Sequence, residues 1–529
     1  MKNLRFGIFN NGYYLAPWQA RALSLITDAL PVVIIIEGNL PKLSAGVDIR
    51  LLLPTIPAVY CVSEKKLSGM LLCSEASVDE IIQYKPDFIL KFHTGGIEGD
   101  LLSKVPFGIW EFRFGTQCII KRWHYGFYEV FHNLNVTPAR LVKLSSSIGE
   151  VVVLEEGFFK TRASVKANRA LLQTEASVWP AKVCRRILKG LPLADEEKRL
   201  TICTGLHVDP GFYYRITCFF KAYFRSIFKK MRLLCYTDFW NIGVVNAPIA
   251  DFLKGNPEPV NWLPLTDKRK FFADPFVLRD GPENPKYHIF CETYPFAKGK
   301  GIIEHLIWDN GFSGPVSTVL EEPAHLSYPY VFKEDGKHYM IPEHYQSGKV
   351  GLYESVDFPG GWQKKCTLLD DFSGIDSTLV KWDGLYWMFS SDRTEGYTNK
   401  LKLFYAEKLE GPWLPHTLNP VKTDIRSARC AGTPFEHEGK LFRPAMDYSE
   451  KLQGKIVINR IDRLTKEEFV EVSVKEIFPY SNSPYPDKIH TLTAMDNFTL
   501  IDGCREVCIL TNFGLLKYNM KLLMRKFNR

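Results

Sequence analysis

Five stretches in the C-terminal half of this chain repeat one imperfect pattern: a small or acidic opening, an apolar strand, a turn with Asp or Gly, and an aromatic-rich strand. They are ADPFVLRDGPENPKYHIFCE (273–292), SYPYVFKEDGKHYMIPE (327–343), IDSTLVKWDGLYWMFSS (375–391), GTPFEHEGKLFRPAM (432–446) and HTLTAMDNFTLIDG (490–503). Their starts lie about fifty residues apart, which is the period of a four-stranded propeller blade. Five repeats without a sixth predict a five-bladed β-propeller. The strand that opens each repeat lines the axis of such a fold. That puts Asp274, Tyr328, Asp376 and His490 at the centre, with Glu292 and Glu343 ending the following strands and Arg443 and Asp447 on the fourth blade.

Many carboxylates around one axis suit work on sugars. One can protonate a leaving oxygen while another activates a nucleophile or steadies a sugar cation. Asp274 is the expected base, with Asp376 and Glu343 supporting charge. Glu292, Tyr328, Arg443, Asp447 and His490 are expected to hold substrate. Aromatic residues make up 13% of the chain, enough to supply both β-rich cores and flat platforms for sugar rings.

The N-terminal third reads differently. The apolar run LRFGIFN (4–10) precedes a Gly-bearing turn, a helical pattern from about Trp18 to Leu30, a strand at Val32–Ile36, a helix at Val78–Gln83 and a strand at Asp87–Phe92. This alternation predicts a doubly wound parallel α/β sheet, with any ligand at the carboxyl ends of the strands, near Asn10 and His93. The expected division is an α/β domain at 1–165, a basic helical connector at 166–235, the propeller at 236–510 and a basic amphipathic tail at 511–529.

In the connector, 211–232 reads GFYYRITCFFKAYFRSIFKKMR, with six Lys or Arg and no acid. On a helix, Phe220, Phe224 and Phe228 form one stripe and Lys221, Arg225 and Lys229 its neighbour. The tail GLLKYNMKLLMRKFNR (514–529) shares this bias. Both segments suit an anionic membrane surface. A net charge of +8 is too small for this length to demand nucleic acid. The twelve cysteines form no Cys-x-x-Cys pair and no metal-ligand spacing, so no metal is expected. Scattered cysteines and a start without a signal-like apolar core lead to an expected cytoplasmic protein, peripheral at the inner face of the membrane.

Three resemblances add to this. KPDFILKFHTGGI (85–97), VPFGIWEFRFGT (105–116) and RWHYGFYEV (122–130) resemble the formyltransferase catalytic domain. That family's Asn-x-His falls here on Glu111 and Arg113, and its later Asp is replaced by serines before Gly149. An arginine cannot serve as the general base, so the resemblance implies a pocket of Asn10, His93, Glu111 and Arg113 without folate chemistry. The repeat words resemble the propellers of the arabinanase, xylosidase and fructosidase group. ADPF matches the base at Asp274, and GIDSTLVKWDGLYWMF the assisting acid at Asp376. The blade-four Glu of that group is absent from Cys430-Ala431-Gly432-Thr433-Pro434, which argues against simple hydrolysis.

A closer resemblance rests on WNIGVVNAPI (240–249), FFADPF, HLSYPYVF, YMIPE and LFRPAMDYS. Together these resemble the propeller at the N-terminus of plant glucosamine inositolphosphorylceramide transferases, a propeller also found in bacterial surface-polysaccharide proteins. It implies a transferase acting on a lipid-linked or activated sugar, with a nucleotide sugar as the donor to consider and a carbohydrate or lipid-linked glycan as partner. Two other readings stay open: a glycan-binding protein with a degenerate formyltransferase-like domain, and an acyl transferase for an amino sugar that uses Glu111.

Overall fold

The computed structural model describes residues 3–37, 46–61, 63–65, 70–92, 96–116, 125–145, 147, 150–193, 198–201, 210–265, 267, 269–281, 286–450 and 454–508. The expected tail at 511–529 and His93 lie outside them. The chain forms two compact units, Met1–Ser226 and Ile227–Arg529.

The first unit is built on an eight-stranded sheet. Its strands are β1 (Leu4–Asn10), β2 (Ala29–Ile36), β3 (Ala58–Tyr60), β4 (Phe88–Lys91), β5 (Ile109–Phe114), β6 (Val136–Leu144), β7 (Glu150–Lys160) and β8 (Arg199–Thr201), in the order β8-β7-β6-β5-β4-β1-β2-β3. β1 to β5 are parallel, as the alternation predicts. β6, β7 and β8 are antiparallel, which corrects the expectation of an all-parallel, doubly wound sheet. Five residues separate β6 from β7. So short a link can close only a hairpin, because a parallel return needs a crossover of a dozen or more residues. The helices Val165–Ala176 and Trp179–Leu188 were expected in a separate connector. Leu172, Ala176, Trp179 and Val183 instead complete the core beneath this sheet.

The second unit is a five-bladed propeller of antiparallel sheets, four-stranded except for blade three, which has five strands. Blade one spans 270–320, blade two 327–369, blade three 374–423 and blade four 435–477. Blade five closes the ring from both ends of the unit: Tyr236–Val245 pairs along its whole length with Thr499–Cys508, and Val260–Trp262 and Leu492–Met495 flank the pair. The hairpin turns are legible in the residues. Asp335-Gly336, Asp383-Gly384 and Glu438-Gly439 each place two successive residues at positive φ, the geometry of a two-residue turn whose twist matches the flanking strands. Buried apolar side chains such as Phe276, Phe290, Met340, Trp387 and Phe389 fill the spaces within and between blades.

Candidate functional site

The first three blades open with the same local device. Asp274, Tyr328 and Asp376 have φ of 50°, 43° and 49°, and the strand register slips by a bulge at each of them. A bulge in left-handed geometry bends the strand and re-aims one side chain. Positive φ costs a non-glycine residue energy, so three repetitions mark a position where direction matters more than strain. In blade four Thr433 stands at that place in the repeat, and the positive φ falls one residue earlier, on Gly432 at 113°. A Cβ on Gly432 would lie 2.0 Å from the Leu492 carbonyl oxygen, so no side chain fits. The Tyr328 hydroxyl accepts from the Gly432 N–H at 2.8 Å and bonds Thr378 Oγ1 at 2.9 Å. Tyr328 is fully buried and its hydroxyl is committed to these groups, so it braces blades rather than facing a ligand.

All five blades meet in one polar cluster. The Asp274 N–H donates to Asp502, and Thr491 Oγ1 donates to Asp274 Oδ1 at 2.9 Å. His490 Nδ1 pairs with Asp502 Oδ2 at 2.5 Å, its Nε2 lies 3.7 Å from Asp274 Oδ1, and its ring stacks on Trp240 at 3.8 Å. Across the cluster the Asp376 N–H donates to Glu343 Oε2 at 3.1 Å. Arg429 grips the Asp376 carboxylate with Nε and Nη2, lies 3.9 Å from Glu343, and sits beside the rings of Tyr448 and Tyr397.

This arrangement separates the protonation states. Burial lifts the Asp274 carboxyl to about 6, with His490 opposing the shift and neighbouring carboxylates adding to it. Burial, then the charges of Asp274, Glu343 and Asp376, push Glu292 well above the ordinary carboxylate range. Burial and Asp376 do the same to Glu343, against the pull of Arg429. Burial works against a charged His490, but Asp502 and Asp274 outweigh it and hold the imidazole at about 9. The cluster therefore grades its carboxyls, with Asp274 at about 6 and Glu292 and Glu343 pushed well above the ordinary carboxylate range, beside cationic His490 and Arg429.

Exposure then sorts the residues. The side chains of His490, Arg429, Glu292 and Asp274 are 22%, 16%, 10% and 9% exposed, whereas Asp376 and Asp502 are sealed at 1% and 0%. Asp376, expected to act on substrate, is held behind Arg429 and positions it. Arg443 and Asp447, expected to hold substrate, are engaged elsewhere. Arg443 is fully buried, donates to Glu471 and to the carbonyls of Ser427 and Ala428, and has no free face. Asp447 caps the Ser449 N–H and lies 3.6 Å from Lys455. Sequence reasoning missed Arg429, Thr491 and Asp502. Arg429 adjoins the Cys430 word that drew notice for its missing acid, and Asp502 ends the fifth repeat. Asp274, His490 and Asp502 also lie close enough to share a cation, but their mutual hydrogen bonds and charges already satisfy one another.

Removing the Arg429 guanidinium leaves Asp376 and Glu343 without a cation. Arg429→Met is expected to cost about 1–3 kcal/mol. Glu343 already titrates above the ordinary carboxylate range, so charging it costs stability as pH rises. The deficit is therefore smallest in acid and widens towards alkaline pH, which thermal melts of both proteins across pH will measure.

In the first unit, Glu111 accepts from Lys91 Nζ at 2.6 Å and its other oxygen lies 2.6 Å from Arg113 Nε as an ion pair. Lys91 is fully buried, and burial lowers its ammonium despite Glu111. Asn10 turns its amide onto the carbonyls of Gly12 and Tyr14. Glu111 and Arg113 thus form an ion-paired set with Lys91, while Asn10 is spent on its own turn.

Residues 265–484 match the family described as glucosamine inositolphosphorylceramide transferase 1, N-terminal. The chain is 34% identical over 216 residues to glucosamine inositolphosphorylceramide transferase 1 of Arabidopsis thaliana, covering 39% of this chain and 27% of that protein. It is 37% identical over 216 residues to the protein of the same name from Oryza sativa subsp. japonica, covering 39% and 28%. The chain thus spans about a quarter of the length of these relatives. Among solved structures, Zg3597, a family 117 glycoside hydrolase of Zobellia galactanivorans, is 14% identical with a TM-score of 0.33, covering 50% of this chain and 90% of that one. Glycinamide ribonucleotide transformylase 1 of Symbiobacterium toebii is 12% identical with a TM-score of 0.28, covering 38% and 94%. At these scores neither carries an argument, and the formyltransferase resemblance gains no support. The sequence relatives are plant proteins named for transfer to a ceramide lipid. They give no support to a bacterial source and overturn the expected cytoplasmic location at the inner face of a membrane.

Proposed function

We propose that this chain transfers a sugar between an activated donor and a lipid-linked acceptor held over the carboxylate cluster of the propeller. The observation that carries the reading is one buried cluster whose carboxyls differ in proton affinity, Asp274 at about 6 and Glu343 and Glu292 well above the ordinary range, with His490 and Arg429 beside them. Carboxyls held in different protonation states can take a proton from an attacking hydroxyl and give one to a departing oxygen. In this reading Asp274 is the base, Glu343 the proton donor, and Glu292 a hydrogen-bonding partner for sugar hydroxyls. Asp502 positions His490, and Asp376 positions Arg429. His490 and Arg429 are the cations that meet the phosphate of a nucleotide-sugar donor. The names of the matched relatives support a glycolipid acceptor. Arg429 supports transfer from a nucleotide-sugar donor, because a guanidinium suits the phosphate of the leaving group.

The test is to incubate the purified chain with a panel of nucleotide sugars and inositolphosphorylceramide and to follow the lipid by mass spectrometry. A hexose-sized mass gain that requires Asp274 is expected. Glycan binding that survives Asp274→Asn, with no product from any donor, would instead establish a binding module.

A further inference from the structure

We propose that the outer face of the Phe212–Cys235 helix is a docking surface for an anionic lipid bilayer. The helix has 24 residues and contains no Asp or Glu. One side is used within the protein: Tyr214, Cys218 and Ala222 pack with Phe127 and Val130, and Arg225 donates to the Val130 carbonyl at 2.8 Å. The opposite arc leaves Phe212, Phe219, Phe220, Tyr223, Phe224 and Phe228 between 52% and 80% exposed. At 100° per residue these rings share one half of the helix surface, and the buried set occupies the other. A contiguous apolar face of this size in water marks a contact surface.

Charge selects the occupant. Lys230 lies within the exposed aromatic arc and Lys221 at its edge, the Lys221 ammonium also 4.2 Å from the Phe131 ring centre. Two copies meeting face to face would bring these ammonium groups together unopposed, which disfavours self-association. Anionic headgroups complement them, at about 1 kcal/mol for each cation near the surface. Phe and Tyr rings suit the boundary between headgroups and acyl chains. No described helix is long and apolar enough to cross a membrane, so this one would lie on the surface. The inference does not depend on which reaction the propeller performs.

The experiment is co-sedimentation of the full chain with phosphatidylcholine vesicles prepared with and without phosphatidylserine. Binding to the anionic vesicles is expected to be at least about tenfold tighter and to weaken with salt. The variant Phe220→Ser/Phe224→Ser/Phe228→Ser should lose at least about tenfold of that binding, because it removes buried apolar area from the bilayer contact. Lys230→Glu leaves the exposed rings in place and should weaken the preference for phosphatidylserine; it keeps the test sound should the first variant fold poorly. Wild-type protein that ignores both vesicles overturns the proposal, as does binding unchanged in both variants. A wild-type dimer that the Phe substitutions dissolve would give the face to a second copy and overturn it equally.

Discussion

Asp274→Asn is expected to slow sugar transfer by about 10²–10⁴-fold, the usual contribution of a positioned general base. The same change is expected to leave the propeller folded and somewhat more stable. The stability gain follows from the sign of the Asp274 shift. Its carboxyl titrates at about 6 in the fold, above the ordinary carboxylate range, so its ionisation opposes folding. That cost is absent below the ordinary range and fully present above about pH 6, where the amide variant escapes it by about 1–3 kcal/mol. Asn retains an oxygen that accepts from Thr491 Oγ1, and the bulge at 274 is held through the backbone N–H by Asp502. A slower and more stable variant distinguishes a spent catalytic group from a damaged fold.

The pH profile adds a second check. A base near 6 and an imidazolium held at about 9 predict a bell with limbs at those values. The acid limb should vanish in Asp274→Asn. The alkaline limb should move down in Asp502→Asn, which removes one of the two carboxylates that hold the charge on His490. A rate that stays flat through pH 6 in the wild-type protein would remove Asp274 from the base role.

How far the sequence reveals this site depends on whether a feature is local. The blades are legible because the first hairpin turns of blades two, three and four are spelled by an Asp-Gly or Glu-Gly pair and each inner strand opens with a repeated word. Asp274 and Asp376 stand at the same place in their repeats, so position alone brings them to the axis. Arg429 and Asp502 reach the cluster from other strands and blades. Their partners lie 53 residues away for Arg429 and Asp376, and 228 for Asp502 and Asp274, and no pattern in the chain encodes such pairings. In the first unit the parallel half follows from strand–helix alternation. The antiparallel half begins where the link between β6 and β7 shortens to a hairpin, after the readable alternation has ended. Tyr328 shows a different limit. Its repeat position is right, but its hydroxyl is spent on Thr378 and the Gly432 N–H, partners 50 and 104 residues away that the repeat word does not encode.

Arg443 was read as a ligand-holding cation because Arg on an axial blade strand looks the same whether it faces solvent or a buried acid. Its removal is expected to have the largest effect on stability. The guanidinium is 0% exposed and Glu471 2%, joined at 2.6 Å and 3.0 Å, with Lys422 Nζ on the same carboxylate at 2.7 Å. Burial alone would protonate Glu471, yet Arg443 and Lys422 hold its carboxyl below the ordinary range. Arg443→Met breaks the pair and orphans the carbonyls of Ser427 and Ala428, at about 3–5 kcal/mol. For a unit of this size that lowers the melting temperature by about 2–4 °C per kcal/mol. Arg443→Met/Glu471→Met should recover a good part of the loss, since replacing both members of a buried pair by apolar side chains is often close to neutral. Lys422 then keeps Asn459 Oδ1 at 3.2 Å and its 16% contact with water. A double variant as unstable as the single one would assign the cost to the lost carbonyl hydrogen bonds and packing. Recovery would assign it to the stranded charge of Glu471, confirming Arg443 as a structural cation of blade four.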